Sequence, residues 1–139
     1  MKLSSDVQAL ASVPLFRSLA ESELAFIARV SDRITLPAGK TLMRQGDHGA
    51  EFLVLLRGTA SVTRGGVETA TLGPGDFAGE LALLDPGPRS ATVTTTDDVE
   101  ALVLGTREFW SVLSDSPGLD KKLLVALARR LRAAESLLA

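Results

Sequence analysis

Cysteine is absent from this 139-residue chain, and histidine occurs once, at position 48. Without cysteine there is neither a disulfide framework nor a thiolate metal site, which is compatible with a cytoplasmic location. His48 and Glu51 resemble a spaced ligand pair, but mononuclear metal sites of this kind use several imidazoles. The sequence therefore predicts no metal site, and His48 is expected to be a turn residue on the surface.

The chain also lacks a strong charge of either sign and any long apolar run. Its 15 basic and 17 acidic residues are scattered and give a net charge of −2, which is not the electrostatic footprint of a nucleic-acid-binding protein. No apolar run approaches the roughly 18 residues that a spanning helix needs, and the N-terminus lacks a signal-peptide pattern. We therefore expect a cytoplasmic protein without membrane or nucleic-acid partners.

Aromatic residues make up only 4% of the chain, although 45% of it is hydrophobic, so the core must consist of Leu, Val and Ala. A chain of this length suits a single domain spanning residues 1–139. Helical patterns occupy residues 1–31 and 106–139, and short strand-like runs with turn residues between them occupy residues 32–105. This order predicts a mainly β fold, an antiparallel jelly-roll barrel with N-terminal and C-terminal helices.

Seven runs account for the predicted strands. They are Ile34–Leu36, Thr41–Met43, Phe52–Leu56, Thr59–Arg64, Val67–Leu72, Ala91–Thr96 and Val99–Leu104. Gly65-Gly66 is the clearest hairpin turn among them, because two-residue hairpin loops need positive φ at both central positions.

The stretch from Gly75 to Thr94, here called the cassette segment, interrupts the strands with one short helix. A helix beginning at Gly79 would point free backbone N–H groups at an approaching anion, and Arg89 and Ser90 could add a guanidinium and a hydroxyl. Glu80 would repel a phosphate but would accept a hydrogen bond from a ribose hydroxyl. A nucleotide could satisfy all of these groups. Alternatively, Glu80 could favour the helix dipole and form a salt bridge with Arg89.

The residues Gly79-Glu80-Leu81-Ala82-Leu83-Leu84 and Pro88-Arg89-Ser90-Ala91-Thr92-Val93 resemble the phosphate-binding cassette of the cyclic nucleotide-binding domain family. This family includes regulatory subunits of cAMP-dependent kinase, catabolite-activator-type transcription factors and cyclic-nucleotide-gated channels. The resemblance extends from about Val13 to Leu138.

The resemblance implies a role for each cassette residue. Glu80 should accept from the ribose 2′-hydroxyl, Arg89 should pair with an exocyclic phosphate oxygen, and Gly79 should allow close approach. Ser90 and the backbone N–H groups of Ala82 and Ala91 should complete the phosphate site. The ligand-binding set is Gly79, Glu80, Leu81, Ala82, Arg89, Ser90, Ala91 and Val93, with Val62 and Leu72 as further candidates for the pocket walls.

The resemblance further implies a regulatory sensor that binds a cyclic nucleotide without a cofactor, with cAMP as the first candidate and cGMP as the second. We expect no catalytic residues and no enzyme activity, because no nucleophile with a neighbouring general base is evident. In the family, threonine after the cassette arginine accompanies cGMP and small residues accompany cAMP; Ser90 is intermediate, although catabolite-activator-type proteins that read cAMP also carry serine there. The stretch Arg132-Ala133-Ala134-Glu135 lacks the hydroxyls with which those proteins meet adenine. Binding should move Leu83 against Phe109 and so shift the C-terminal helices.

The last predicted helix should begin at Ser116, with Pro117 at its first helical position. It carries two apolar rows, Leu119, Leu123 and Leu127 in one and Leu124, Leu127, Leu131, Ala134 and Leu138 in the other. One row could mediate a homodimer. The basic residues of this helix could form a nucleic-acid stripe, but a solvated face is the preferred interpretation.

Two other functional classes remain open. One is a ligand-free interaction or dimerisation module on the same fold, and the other is a cupin-like metal-dependent enzyme, which the single histidine disfavours. No DNA-reading element follows the last predicted helix in this sequence, so the output is expected in an unknown protein effector or output domain.

Overall fold

The computed structural model describes the backbone of residues 2–138 and the side chains of residues 5–136. Its helices are α1 (Lys2–Ala11), α2 (Glu21–Val30), α3 (Glu80–Leu84), α4 (Thr106–Asp115) and α5 (Leu119–Leu138), with a 3₁₀ turn at Pro14–Phe16. Its strands are β1 (Asp32–Leu36), β2 (Thr41–Met43), β3 (Phe52–Arg57), β4 (Ala60–Arg64), β5 (Val67–Leu72), β6 (Phe77–Ala78), β7 (Thr92–Thr95) and β8 (Val99–Leu104).

The strands form two four-stranded antiparallel sheets, in the orders β1-β8-β3-β6 and β2-β7-β4-β5. This confirms the predicted jelly roll with flanking helices. The predicted hairpin is also present, because β4 pairs with β5 through Arg64 and Val67, and Gly65 and Gly66 have φ values of 60° and 81°. One strand, β6, was not predicted from the sequence. It is two residues long and exists only through its pairing with Leu53 and Val54.

Strand β3 shows how the helices and the sheets are layered. Phe52 and Val54 belong to a core cluster shared with the helices, whereas Leu53 and Leu55 belong to a second cluster between the sheets. Because successive side chains of a strand point to opposite faces, a strand buried on both faces must have a layer on each side. The molecule therefore has three layers, the helices, the sheet that contains β3 and the second sheet.

Helix α1 is attached to the barrel by charged side chains as well as by packing. Asp6, although 5% exposed, pairs with Arg33 of β1. The other arm of the Arg33 guanidinium lies 2.6 Å from Glu100 of β8. The hydrogen bond from Arg33 lowers the pKa of the Glu100 carboxyl more than burial raises it. A single cation thus connects the N-terminal helix with two adjacent strands.

The prediction that the last helix begins at Ser116 was wrong, because α5 begins at Leu119. Ser116 is instead the C-cap residue of α4, and Gly118 has a φ of +87°, which interrupts the helical backbone. The two apolar rows of α5 have different environments. Leu119 and Leu123 are buried, whereas Leu124 and Leu131 are 66% and 60% exposed; the side chain of Leu138 lies outside the described residues.

Candidate functional site

Gly79 connects β6 with α3 and sets the geometry of the cassette segment. Its φ of +95° belongs to the left-handed region, which is costly for residues with a Cβ. A Cβ at this position would also lie 2.2 Å from the carbonyl oxygen of Glu51 and 3.1 Å from Nη1 of Arg89. Position 79 therefore needs glycine for its conformation and for the close approach of Arg89.

Arg89 is buried within the loop between α3 and β7, with 6% of its surface exposed. Its Nη1 donates to the carbonyl oxygen of Gly79 at 3.3 Å, and its Nη2 donates to that of Glu51 at 3.1 Å. Backbone hydrogen bonds with Asp47 and Gly46, of 2.8 and 2.9 Å, hold the same residue in place. The loop that precedes β3 thus encloses Arg89.

Burial lowers the pKa of Arg89 from its usual value, and the negative charges of Glu51 and Glu80 partly oppose this effect. Within the described residues, the hydrogen bonds of its guanidinium go to neutral carbonyl oxygens. Glu51 and Glu80 act on this buried cation only from a distance, because in the described part of the chain no carboxylate forms an ion pair with it. Such a group favours an incoming anion, and its planar fork fits a phosphate.

Glu80, the first residue of α3, is 3% exposed and pairs with Arg130 of α5. The alternative that Glu80 forms a salt bridge with Arg89 was therefore wrong. Nη2 of Arg130 also donates to the carbonyl oxygen of Phe77 at 2.6 Å, and its guanidinium carbon lies 4.0 Å from the centroid of the Phe77 ring. Arg130 thus reaches from the last helix to both ends of the β6–α3 connection.

Sequence reasoning missed Arg130, which was grouped with the solvated charges of the last helix. A signal was nevertheless present, because Leu119, Leu123 and Arg130 recur at positions i, i+4 and i+11 and so share one helix face. Leu119 and Leu123 are buried, which places Arg130 on the extension of the buried stripe. A cation at such a position indicates a buried partner rather than solvent.

The remaining predicted ligand residues differ in exposure. Ala91 and Val93 are 6% and 2% exposed, and Val93 lies in the cluster between the sheets together with Leu72. Ser90 is exposed, and the side chain of Leu81 is 52% exposed. The structure therefore brings Gly79, Glu80 and Arg89 together, and it places Leu81 with its side chain outward.

The cassette helix is connected to the C-terminal helices through the shared core. Leu83 of α3 and Phe109 of α4 are both 4% exposed and belong to the same cluster. The ring of Phe109 lies 5.1 Å from that of Phe52, which in turn lies 5.5 Å from that of Phe77. Helices α3 and α4 therefore pack into one core.

Two other kinds of functional feature, a metal-ligand cluster and a membrane-spanning helix, are absent from the described residues. Among these residues no group of three or more His, Asp or Glu side chains is arranged to hold a metal ion, and His48 is exposed. No helix within residues 2–138 combines the length and apolar character required to cross a membrane.

The fold and the cassette geometry define a jelly-roll domain with a buried cation and a carboxylate beside one short helix. The family model for the cyclic nucleotide-binding domain matches residues 33–116, and the chain belongs to this family. The match includes every cassette residue discussed above, but it excludes α5 and hence Arg130.

Two relatives carry the names of cAMP-related regulatory proteins. The chain is 36% identical over 127 residues to the cyclic AMP receptor protein of Thermus thermophilus, and the alignment covers 88% of this chain and 59% of that protein. It is 42% identical over 106 residues to a cAMP-dependent protein kinase regulatory subunit of Aspergillus niger, covering 75% of the chain and 26% of the relative. The chain spans less than two thirds of the length of these curated relatives.

A solved structure shows the same architecture. The crystal structure of the Thermus thermophilus catabolite activator protein superposes with a TM-score of 0.81 at 36% identity, covering 90% of this chain and 61% of that one. The chain is thus a cyclic nucleotide-binding regulatory domain by family and by fold.

Proposed function

We propose that this domain binds cAMP in preference to cGMP and transmits occupancy through its C-terminal helices. The observation that carries the proposal is Arg89, a buried guanidinium whose hydrogen bonds go to the carbonyl oxygens of Gly79 and Glu51. A cyclic phosphate supplies the missing negative charge in a geometry that the guanidinium fork can meet with two parallel hydrogen bonds.

The neighbouring groups supply the rest of the ligand site. One carboxylate oxygen of Glu80 accepts a hydrogen bond from Arg130. The other lies 3.2 Å from the backbone nitrogen of Leu81, and a ribose hydroxyl could replace this weak contact. Arg130 would then fix the orientation of the Glu80 carboxylate while the ligand donates a hydrogen bond to its second oxygen. Ser90 and the backbone N–H groups of Ala82 and Ala91 complete the proposed phosphate site.

The preference for cAMP rests on two features. Ser90 follows the cassette arginine, and both relatives described above carry cAMP or cyclic AMP in their names. The last helix has Arg132-Ala133-Ala134-Glu135 where a hydroxyl contact to the base would lie, so selectivity between the two nucleotides should be modest. One missing neutral hydrogen bond corresponds to about 1 kcal/mol.

Transmission follows from the two contacts that connect the cassette segment with the C-terminal helices. One is the packing of Leu83 and Phe109 in a common core, and the other is the ion pair between Glu80 and Arg130. A ligand shifts the position of the helices only by binding one arrangement more tightly than another. A ligand that holds Glu80 and Arg89 together should favour the arrangement with α5 against the cassette segment.

Isothermal titration of the wild type with cAMP and with cGMP tests the proposal, alongside Arg89→Ala and Arg64→Ala. Removing Arg89 should weaken cAMP binding by about 3 kcal/mol or more, because the ligand charge loses its partner in a buried site. Arg64→Ala removes the same charge from an exposed hairpin position and should bind like the wild type. If the wild type releases or absorbs no heat with cAMP and none with cGMP, the proposal is rejected.

A second candidate function is an interaction module that dimerises through α5, in a cytoplasmic setting and with an unknown output partner. The observation in its favour is the outer apolar row of α5, where Leu124 and Leu131 are exposed. This module would bind no nucleotide, so the absence of heat on titration with cAMP and cGMP would distinguish it from the sensor. For the sensor we propose binding without turnover.

A further inference from the structure

Gly49 lies in the loop between β2 and β3, and its backbone conformation does not require glycine. Its φ lies outside the left-handed region, whereas Gly46 in the same loop has a φ of +89°. A glycine in a conformation that other residues can adopt loses more backbone entropy on folding than they would. The local conformation therefore does not explain glycine at position 49, and the explanation must lie in the neighbouring atoms.

The atoms nearest to this position belong to the guanidinium of Arg89. A Cβ at Gly49 would lie 2.7 Å from Nε of Arg89, 2.9 Å from Nη2 and 3.1 Å from Cζ. These distances are shorter than the separation at which two heavy atoms attract each other, so a side chain at position 49 and the guanidinium cannot both occupy these places. The space at Gly49 is therefore taken by the side chain of the proposed phosphate-binding residue.

Gly49 and Gly79 approach different atoms of the same guanidinium. A Cβ at Gly79 would lie 3.1 Å from Nη1, whereas a Cβ at Gly49 would crowd Nε and Nη2. In the space that the two glycines leave, Nη1 and Nη2 donate to the carbonyl oxygens of Gly79 and Glu51. These two hydrogen bonds fix the plane of the guanidinium, so a side chain that displaced it would change both the bonds and the direction of the remaining N–H groups.

We propose that Gly49 is a positioning residue for phosphate recognition, which keeps space for the Arg89 guanidinium and thereby directs its remaining N–H groups toward the anion. This inference rests on the proposed function where it concerns the ligand. Gly49 acts through Arg89 and not through a special backbone conformation, which distinguishes it from Gly79, whose φ is +95°. A larger residue at position 49 should therefore impair binding while leaving the fold intact, because it meets only the far end of a flexible side chain.

Side chains of increasing size at position 49 test the proposal by titration with cAMP. Gly49→Ala requires only a small shift of the guanidinium and should weaken binding about twofold to fivefold. Gly49→Val fills the place of the guanidinium and should weaken binding about 30-fold, the loss expected for misdirected hydrogen bonds to a charged group. Gly105→Val is the matched control, because a Cβ at Gly105 would lie 2.6 Å from the end of the Glu108 side chain, also without a positive φ. It should bind like the wild type, and equal affinity of Gly49→Val and Gly105→Val would overturn the proposal.

A substitution at position 89 separates positioning from a purely structural role. Arg89→Lys replaces the planar fork with a narrower ammonium group and should weaken cAMP binding about tenfold in the wild type. In Gly49→Val the same change should cause no further loss, because the fork is already displaced and the lysine side chain is slimmer. Losses that simply add in the double variant would show that the two positions act independently, which would overturn the proposal.

A second measurement does not depend on the nucleotide. Phenylglyoxal modifies accessible guanidinium groups, and Arg89 should react slowly in the wild type because it is buried. In Gly49→Val it should react about tenfold faster, and in Gly49→Ala at an intermediate rate, because modification follows the population in which the group is accessible. Peptide mass spectrometry distinguishes Arg89 from the exposed Arg64, whose rate should not change, and circular dichroism verifies that each variant is folded.

The two measurements distinguish the positioning role from the proposed function. Faster modification of Arg89 in Gly49→Val, together with a wild type that does not bind cAMP, would reject the proposed function and support the role of Gly49 in placing the guanidinium. An unchanged rate in both Gly49 variants would overturn that role, even where the wild type binds cAMP.

Discussion

Individual residues of the cassette segment have specific steric and electrostatic demands. The guanidinium of Arg89 needs a neighbouring residue without a Cβ. The buried carboxylate of Glu80 needs a cationic partner, and Gly79 provides the turn on which both residues depend. Each demand can be tested with a variant that changes one property and with a control that makes the same change elsewhere.

Gly79→Ala should destabilise the fold by more than about 2 kcal/mol, because its Cβ would lie 2.2 Å from a backbone oxygen at positive φ. Gly58→Ala is a suitable control, since it combines a φ of +86° with a Cβ position 2.1 Å from the carbonyl oxygen of Asp98. Urea denaturation should show a similar loss for both. Only Gly79→Ala should also abolish cAMP binding at a temperature where both are folded, and equal affinity in the two variants would contradict this assignment.

Arg130→Ala should destabilise the protein by about 1 to 2 kcal/mol, because it leaves the buried Glu80 without its cation. The loss stays below that of a fully buried pair because the Arg130 side chain is 43% exposed. Arg129→Ala, which removes the preceding and also exposed arginine, should change stability by less than about 0.5 kcal/mol. Equal unfolding midpoints for the two variants would show that the ion pair contributes nothing.

Helices and strands are connected by a few cross-element contacts. Helix α1 is connected with β1 and β8 through Asp6, Arg33 and Glu100. Helix α5 is connected with α3 through Arg130, and with α4 and the 3₁₀ turn through apolar packing. The first connection lies on the barrel and the second on the proposed ligand site, so they should respond to different conditions.

The connection at Glu100 should depend on pH. Because the folded pKa of Glu100 is lowered, mainly by the hydrogen bond from Arg33, its ionisation stabilises the fold above the ordinary glutamate pKa of about 4.3 and ceases to do so as the pH falls through the folded value. Glu100→Gln should therefore cost about 1 kcal/mol at pH 7 and almost nothing in strong acid. Denaturation at a series of pH values measures the difference, with the exposed Glu135→Gln as control; a cost that grows in acid would contradict it.

At the scale of the whole molecule, one sheet is buried on both faces and the last helix on only part of its circumference. The outer row of α5 exposes Leu124 and Leu131, which lie seven residues apart and so nearly on one line along the helix. Such a line is the geometry with which two helices pack against each other.

The wild type should therefore form a homodimer through this row, and Leu124→Glu with Leu131→Glu should abolish it, because four carboxylates would face each other across the paired helices. Sedimentation velocity over a range of concentrations measures the association, and cAMP affinity should be retained. The control is Val67→Glu, which adds the same charge at an exposed position of the barrel and does not alter α5. Leu119→Ala would not serve as a control, because Leu119 is buried in the core. A wild type that stays monomeric at the highest concentration would reject dimerisation through this row.

Much of the fold followed from local backbone requirements. The Gly65-Gly66 hairpin, the flanking helices and most strands were predictable because positive φ, period-two alternation and period-3.6 patterns act over a few residues. The cassette residues were recognised through their resemblance to a family motif, which can be read from the sequence because Gly79, Glu80 and Arg89 lie within eleven positions of one another. These features were determined by the sequence itself.

Other features depended on contacts between distant parts of the chain. Strand β6 has too few residues to show a pattern, and it forms because β3 lies beside it. The ion pair between Glu80 and Arg130 joins residues 50 positions apart, and only the packing of α5 against the core brings them together. The start of α5 at Leu119 likewise overrides the local preference of Ser116 and Pro117, because burial of Leu119 and Leu123 fixes the helix at that end. The sequence alone determined the local conformations and the chemistry of the cassette segment, whereas the tertiary structure decided which charges meet, because that depends on which surfaces are buried together.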